Sequence, residues 1–178
     1  MTISNFIRQK SYEKIVFMLR RHYITFVPTI VLFIFLFLAP LAVYFLTTNL
    51  VTNFLSGETA WPITVILSSI YYLSVILFFF SFFITFYLDL TIVTNDRLVD
   101  IEQTSLFGRT VAEVDLSEIQ DATSEIRGFF PSLFKYGNLT IQTAGAVPKF
   151  FIKNIPNPDF VRQRILDLAA DDKKFHNG

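Results

Sequence analysis

The sequence predicts an α+β membrane protein: a two-helix transmembrane hairpin followed by a small antiparallel β-barrel capped by a C-terminal α-helix. Three observations carry this reading. From Tyr23 to Leu88 the only charged side chain is Glu58, and a water-soluble surface needs far more polar cover than that. After Leu88 the pattern changes to short β-branched runs separated by turn residues, as in a series of antiparallel strands. The chain then closes on one amphipathic segment that opens with a helix-start signal.

Residues 1–22 read as a basic cytoplasmic segment. Arg8, Lys10, Lys14, Arg20 and Arg21 stand against Glu13 alone, a net +4, whereas residues 47–60 contain neither Lys nor Arg. An excess of cations marks the cytoplasmic side of a membrane. These five residues therefore set the topology: N-terminus inside, short loop outside, and the C-terminal part returned to the cytoplasm. Asn5 to Tyr23 also holds Phe6, Ile7, Ile15, Val16 and Leu19. Two readings fit it, a helix lying on the inner leaflet or a topology signal with no further role.

Residues 23–88 hold the two transmembrane helices, about 24–46 and 62–86, with the outer loop at 47–60. A helix of 23 residues spans roughly 34 Å, enough for a hydrocarbon core of about 30 Å. Backbone amides left unpaired in lipid cost several kcal/mol each, so both blocks are expected to be helical. The first is too long for a signal-peptide core, and a second follows closely. Trp61 suits the outer interface, and Tyr23 and Tyr87 the inner one. Neither span contains Asp, Glu, Lys, Arg or His to mark an ion or proton path.

Residues 89–172 read as a β-rich domain. Leu90–Thr94 leads into Asn95-Asp96, a pair suited to a tight turn, and Arg97–Gln103 returns. Arg109–Leu116 alternates apolar Ala112, Val114 and Leu116 with Val111, Glu113 and Asp115. Ile119–Ile126 fits either a strand or a helical turn. Asn138–Thr143 and Lys149–Lys153 supply two more strands around a turn at residues 145–148. A sheet of this kind must close or be covered. Asn157-Pro158-Asp159 opens the covering helix, with Asn as N-cap, Pro at the first helical position and Asp at the positive dipole end. Val161, Ile165 and Leu168 then recur on one face. Residues 173–178 are expected to be a tail.

The order and spacing of several short motifs resemble a known family. They are Thr94–Leu98 (TNDRL), the Gly108-Arg109 turn, Asp115–Asp121 (DLSEIQD), Phe134–Ile141 (FKYGNLTI) and Thr143–Gly145 (TAG). From Tyr87 to Leu168 the chain is similar to the bacterial PH-like (pleckstrin-homology-like) domain of small, membrane-flanked prokaryotic proteins. The resemblance implies a PH-like barrel tethered to a prokaryotic inner membrane by a multi-pass anchor, with both termini cytoplasmic. It supplies no catalytic residues.

Composition excludes several classes. With no cysteine in the chain, thiolate catalysis, disulfides and Cys-type zinc sites are ruled out. His22 and His176 lie far apart in sequence and in no metal-binding pattern, so no metal or cofactor is expected. Residues 89–178 carry ten basic against thirteen acidic groups, a net −3, which disfavours nucleic acid. Specific phosphoinositide binding is not expected, since the first hairpin turn offers only Arg97 where a phosphate cluster needs several converging donors. No nucleophile–base pair suggests an enzyme.

The segment 127–137 stands apart. Phe129, Phe130, Leu133, Phe134 and Tyr136 crowd around Pro131, flanked by Arg127 and Lys135. Two readings compete: the aromatics contact the inner leaflet or a partner, with Arg127 and Lys135 at headgroups, or they fold across the barrel mouth as core. The expected role is a membrane-anchored, non-enzymatic scaffold whose cytoplasmic domain docks a protein partner or a second copy of itself. The lipid bilayer is its other contact. The rival is a subunit of an oligomeric channel or transport complex, with the helices packed around a pore.

Overall fold

The computed structural model describes Lys10 and residues 12–50, 60–144 and 149–176. Arg8, residues 51–59 of the expected outer loop, the turn at 145–148 and the last two residues lie outside them. The chain divides into two compact units, residues 25–86 and a domain built from the residues on either side.

The first unit is a pair of helices, α1 (Val27–Leu50), entered through a 3₁₀ turn at Tyr23–Phe26, and α2 (Ala60–Leu88). Both are long and apolar enough to cross a membrane. Several of their hydroxyls are satisfied within the helix, as suits an apolar surrounding: Ser69 Oγ donates to Val65 O at 2.8 Å and Ser74 Oγ to Ile70 O at 2.8 Å. The helices meet through aromatic contacts. Phe33 packs edge-on to Phe79 at 5.3 Å and Phe37 against Tyr72 at 4.9 Å, while Tyr71 Oη donates to Leu36 O at 2.8 Å. Phe33 and Val75 are buried in this seam, and large apolar side chains such as Phe35 and Leu73 face outward.

Among the described residues the second unit contains seven strands and two helices. The strands are β1 (Ile15–Leu19), β2 (Leu90–Thr94), β3 (Arg97–Gln103), β4 (Arg109–Asp115), β5 (Ile119–Glu125), β6 (Tyr136–Thr143) and β7 (Lys149–Pro156); the helices are α3 (Phe129–Phe134) and α4 (Pro158–His176). β1 was not expected. The segment Ile15–Leu19 is not helical but pairs antiparallel with β2, Leu19 opposite Thr91 and Ile15 opposite Thr94. The β-rich unit is therefore discontinuous in sequence, and Ile15–Leu19, which precedes the first apolar helix, belongs to its sheet.

The strands do not close into one barrel, contrary to expectation. They form two antiparallel sheets, β1-β2-β3-β4 and β5-β6-β7. The chain leaves the first at a 3₁₀ turn, Leu116–Glu118, whose ends are tied elsewhere. Leu116 N donates to Asp96 O at 3.0 Å, and Ala144 N donates to Glu118 O at 2.9 Å. With its backbone groups committed to these two neighbours, the turn cannot extend the ladder from β4 into β5.

Between the sheets lies one apolar core containing Val93, Leu98, Leu116, Ile119, Leu139 and Ile141, closed by Val161, Ile165 and Ala169 of α4. α4 thus covers the core with the expected face, while its C-terminal turns continue through the expected tail. Lys173 Nζ reaches Ile119 O at 2.6 Å. Ile119–Glu125, ambiguous in sequence, is a strand, paired from Ile119 opposite Thr143 to Glu125 opposite Asn138. Asn157 departs from an ordinary N-cap: its φ is 45°, a left-handed conformation that Asn tolerates better than most residues.

Candidate interaction site

The aromatic segment is a short helix rather than a loop. Gly128 precedes α3 with φ 110° and Lys135 ends it in the left-handed region with φ 53°, so the chain reverses sharply at both ends. Gly137 then opens β6 where a Cβ would stand 2.4 Å from Glu125 O, which only glycine permits. Between these turns α3 points its apolar side chains outward. Phe129 is 76 % exposed, Phe130 62 % and Leu133 60 %, and the two Phe rings sit edge-to-face at 5.7 Å. The expectation that this segment completes the core is not met, because the space between the sheets is already filled by α4 and the strand residues. Arg127 pairs with Glu125 at 2.6 Å. Lys135 occupies the helix end, and half-buried Tyr136 stacks on His22 with centroids 5.3 Å apart. Phe129, Phe130 and Leu133 form one exposed apolar face, while Tyr136 is half-buried against His22.

The basic residues of the N-terminal segment are fastened into the domain. Lys10 Nζ contacts Asp96 Oδ2 at 2.6 Å. The Lys14 backbone donates to Asn95 Oδ1 at 2.6 Å, and Arg21 approaches Asp89 at 2.5 Å and Glu102 at 3.6 Å. Beside them Glu13 binds Arg97 through two contacts, Nε to Oε1 at 2.9 Å and Nη2 to Oε2 at 3.0 Å. Arg97 also reaches Glu113 at 2.6 Å. Burial pushes the Glu13 carboxyl up, but the Arg97 hydrogen bonds and the Lys10 amide outweigh it and hold it below the usual carboxylate range. The Glu13 hydrogen bond raises Arg97 in turn. The N-terminal segment thus occupies the Asn95-Asp96 turn, the place where a first-hairpin ligand would have to enter.

A wide cleft of about 990 Å³ lies elsewhere in the same unit. Arg20, Arg21, His22 and Arg109 line it together with Met18, Leu88 and Leu90. Ile92 and Ile101 also line it and belong to a second small apolar cluster. Arg20 stacks over the Tyr87 ring at 5.0 Å, and burial holds the His22 imidazole below its ordinary value. Arg109 and the cleft itself were missed in sequence, because nothing local links residues 18–23 to residue 109; the link is the register of β1, β2, β3 and β4. Among the described residues no cluster of His, Asp and Glu is arranged to hold a metal ion.

Residues 23–169 match the sequence profile of a family described as bacterial PH domain. Among solved structures, a DUF1696 family protein with a pleckstrin-homology domain from Shewanella loihica PV-4 is similar at 21% identity and a TM-score of 0.35, over 48% of this chain and 70% of that one. No curated protein matches the chain.

Proposed function

The chain belongs to the bacterial PH domain family, and from that premise we propose that it is a membrane-anchored, non-enzymatic interaction protein. α1 and α2 cross a prokaryotic inner membrane as a hairpin, both termini are cytoplasmic, and the PH-like unit is held at the inner face. There the outward face of α3 docks a protein partner. The observation that carries this reading is the exposure of Phe129, Phe130 and Leu133 together on a helix held between two sharp reversals. Solvating one large apolar side chain forgoes about 1.5–3 kcal/mol of burial, and contiguous exposed apolar faces mark contact sites. Aromatic anchors of this kind dominate protein interfaces.

The experiment is an exchange. Both helices are replaced by an unrelated two-helix anchor of the same topology, and a photocrosslinking residue is placed at Leu133 in living cells. A single crosslinked species, retained in the anchor exchange and lost with Phe129→Ser and Phe130→Ser, is the expected result. If the anchor exchange abolishes function while expression and the domain fold are normal, the helices themselves do the work and the chain is a channel or transport subunit.

A further inference from the structure

One hydrogen bond of the apolar helix pair differs in kind from its neighbours. The hydroxyls of Ser69, Ser74 and Thr85 donate to Val65 O, Ile70 O and Ser81 O of their own helix. In a regular helix each of those carbonyls also accepts the amide four residues on, so the hydroxyl is a second donor. Tyr71 Oη instead crosses from α2 to α1 and donates to Leu36 O at 2.8 Å. Four residues beyond Leu36 stands Pro40, inside α1, and proline has no amide hydrogen. Leu36 O therefore lacks its helical donor, and the other helix supplies one.

Leu36 lies about 14 Å along α1 from Val27, at 1.5 Å per residue. On the reading that α1 crosses the bilayer, on which this inference rests, that is near the middle of a hydrocarbon core of about 30 Å. A carbonyl left unpaired there costs several kcal/mol, and a proline within a span is tolerated where a neighbouring helix provides the partner. Ring packing does not by itself fix the register. On α2 the packed rings recur every seven residues: Phe86 stacks on Phe26 at 4.8 Å, Phe79 meets Phe33 at 5.3 Å and Tyr72 meets Phe37 at 4.9 Å. A slip of α2 by seven residues sets Phe33 against Tyr72 or Phe86, ring on ring again, and lipid is as apolar as the rings. The slip also brings Phe78 or Thr64 to the place of Tyr71. Phe78 has no donor, and Thr64 Oγ1 already bonds Ala60 O at 2.9 Å. We infer that Pro40 and Tyr71 form a latch: the proline frees one carbonyl of α1, and the Tyr71 hydroxyl captures it and fixes the register of the two helices. With the latch open, Pro40 is where α1 bends.

The test is a double-mutant cycle on the full chain in mild detergent, with amide hydrogen exchange of α1 read by mass spectrometry. Tyr71→Phe keeps the ring and removes the hydroxyl. It is expected to speed exchange over residues 33–46 about fivefold, the scale of one interhelical hydrogen bond in a membrane. Pro40→Ala gives Leu36 O an amide donor of its own. In that background, adding Tyr71→Phe should change exchange by less than about twofold, so the two substitutions are not additive. Ser69→Ala removes a second donor, leaves Val65 O its amide, and should leave α1 unchanged. An equal effect of Tyr71→Phe with and without Pro40→Ala overturns the latch, because the hydroxyl would then act through another group. No effect in the natural chain overturns it as well, as does equal loosening by Ser69→Ala. Should Tyr71→Phe fail to assemble, recovery by Pro40→Ala supports the latch and failure of the double variant overturns it. Alkaline carbonate extraction of membranes reads the anchor separately. A natural chain that stays in the pellet while positions 40 and 71 show no coupling removes the latch alone. A chain released to the supernatant removes the anchoring reading and this inference with it.

Discussion

The two units spend the same residue types in opposite ways. In the helix pair, Phe35 and Leu73 point outward and, among the described residues, only Phe33 and Val75 are buried; in the domain, Ile92, Leu98, Leu139 and Ile165 are wholly enclosed. An outward Phe in water is a standing cost, and a helix covered with them is stable only in an apolar surrounding. The difference teaches how to read the domain's own exceptions. Phe107, at 99 % exposure, sits alone at the tip of the β3–β4 turn and needs no explanation. Phe129, Phe130 and Leu133 are exposed together on α3, and it is this contiguity, not exposure alone, on which the proposed contact rests.

The largest expected effect breaks the domain side of this comparison at its polar clamp. Glu13 is fully enclosed and Arg97 is 12 % exposed. Removing one member of a buried pair leaves an uncompensated charge and costs about 3 kcal/mol, here at the low end of the range because Glu113 still holds Arg97. Glu13→Gln is expected to destabilise the domain by that amount and to strip hydrogen-exchange protection from Ile15–Leu19 first. Unchanged protection in the variant would mean that β1 is held by its ladder to β2 alone.

That clamp also shows where sequence reading reached its end. The helix pair was legible because two long uncharged blocks leave few alternatives, and α4 because its Asn-Pro-Asp start and its apolar spacing agree. β1 was not legible. IVFML is as good a strand as LTIVT, but cations flank it, and its partner lies beyond both apolar helices. Periodicity reports which face a residue occupies, never which distant strand it pairs with. The failure of barrel closure has a similar origin: the 3₁₀ turn at Leu116–Glu118 is set by hydrogen bonds to Asp96 and Ala144, both distant in sequence. At the candidate site the aromatic residues themselves were legible in Arg127–Gly137, but their exposure was not, since it depends on α4 having already filled the core. The cleft needed four strands in register before Arg20 and Arg109 could face one space.

A smaller effect sharpens the exception. Phe129→Ser with Phe130→Ser should alter stability by no more than about 0.5 kcal/mol, the usual range for surface positions, while abolishing the crosslink expected at α3. Cooperative thermal unfolding followed by circular dichroism gives the first number. A loss of several kcal/mol would return these rings to the core.

The smallest effect concerns the acidic side chains beside β2 and β3. Burial raises the Asp100 carboxyl above its ordinary value, against the Thr91 hydroxyl that donates to it at 2.6 Å; Glu102 and Asp89 add like charge, and Arg21 opposes them. Asp89 is raised for the same first reason, burial, offset by the Gln103 amide and by Arg21. A carboxyl whose folded pKa lies above its unfolded value binds its proton more tightly in the folded chain. Its contribution to stability is therefore fully present below the unfolded value, about 4, and is lost as the pH rises through the folded value. At neutral pH the ionised Asp100 is consequently a net cost. Asp100→Asn, whose side-chain oxygen still accepts from Thr91, is expected to stabilise the domain at pH 7 by about 0.5 kcal/mol, kept small by solvent screening of a partly exposed group. The gain should shrink as the pH is lowered and vanish near pH 4, where the natural side chain is itself protonated. Unfolding curves for both chains at four or five pH values measure it directly. A variant less stable than the natural chain at pH 7 would show that the ionised carboxylate's hydrogen bond to Thr91 and attraction to Arg21 outweigh its burial.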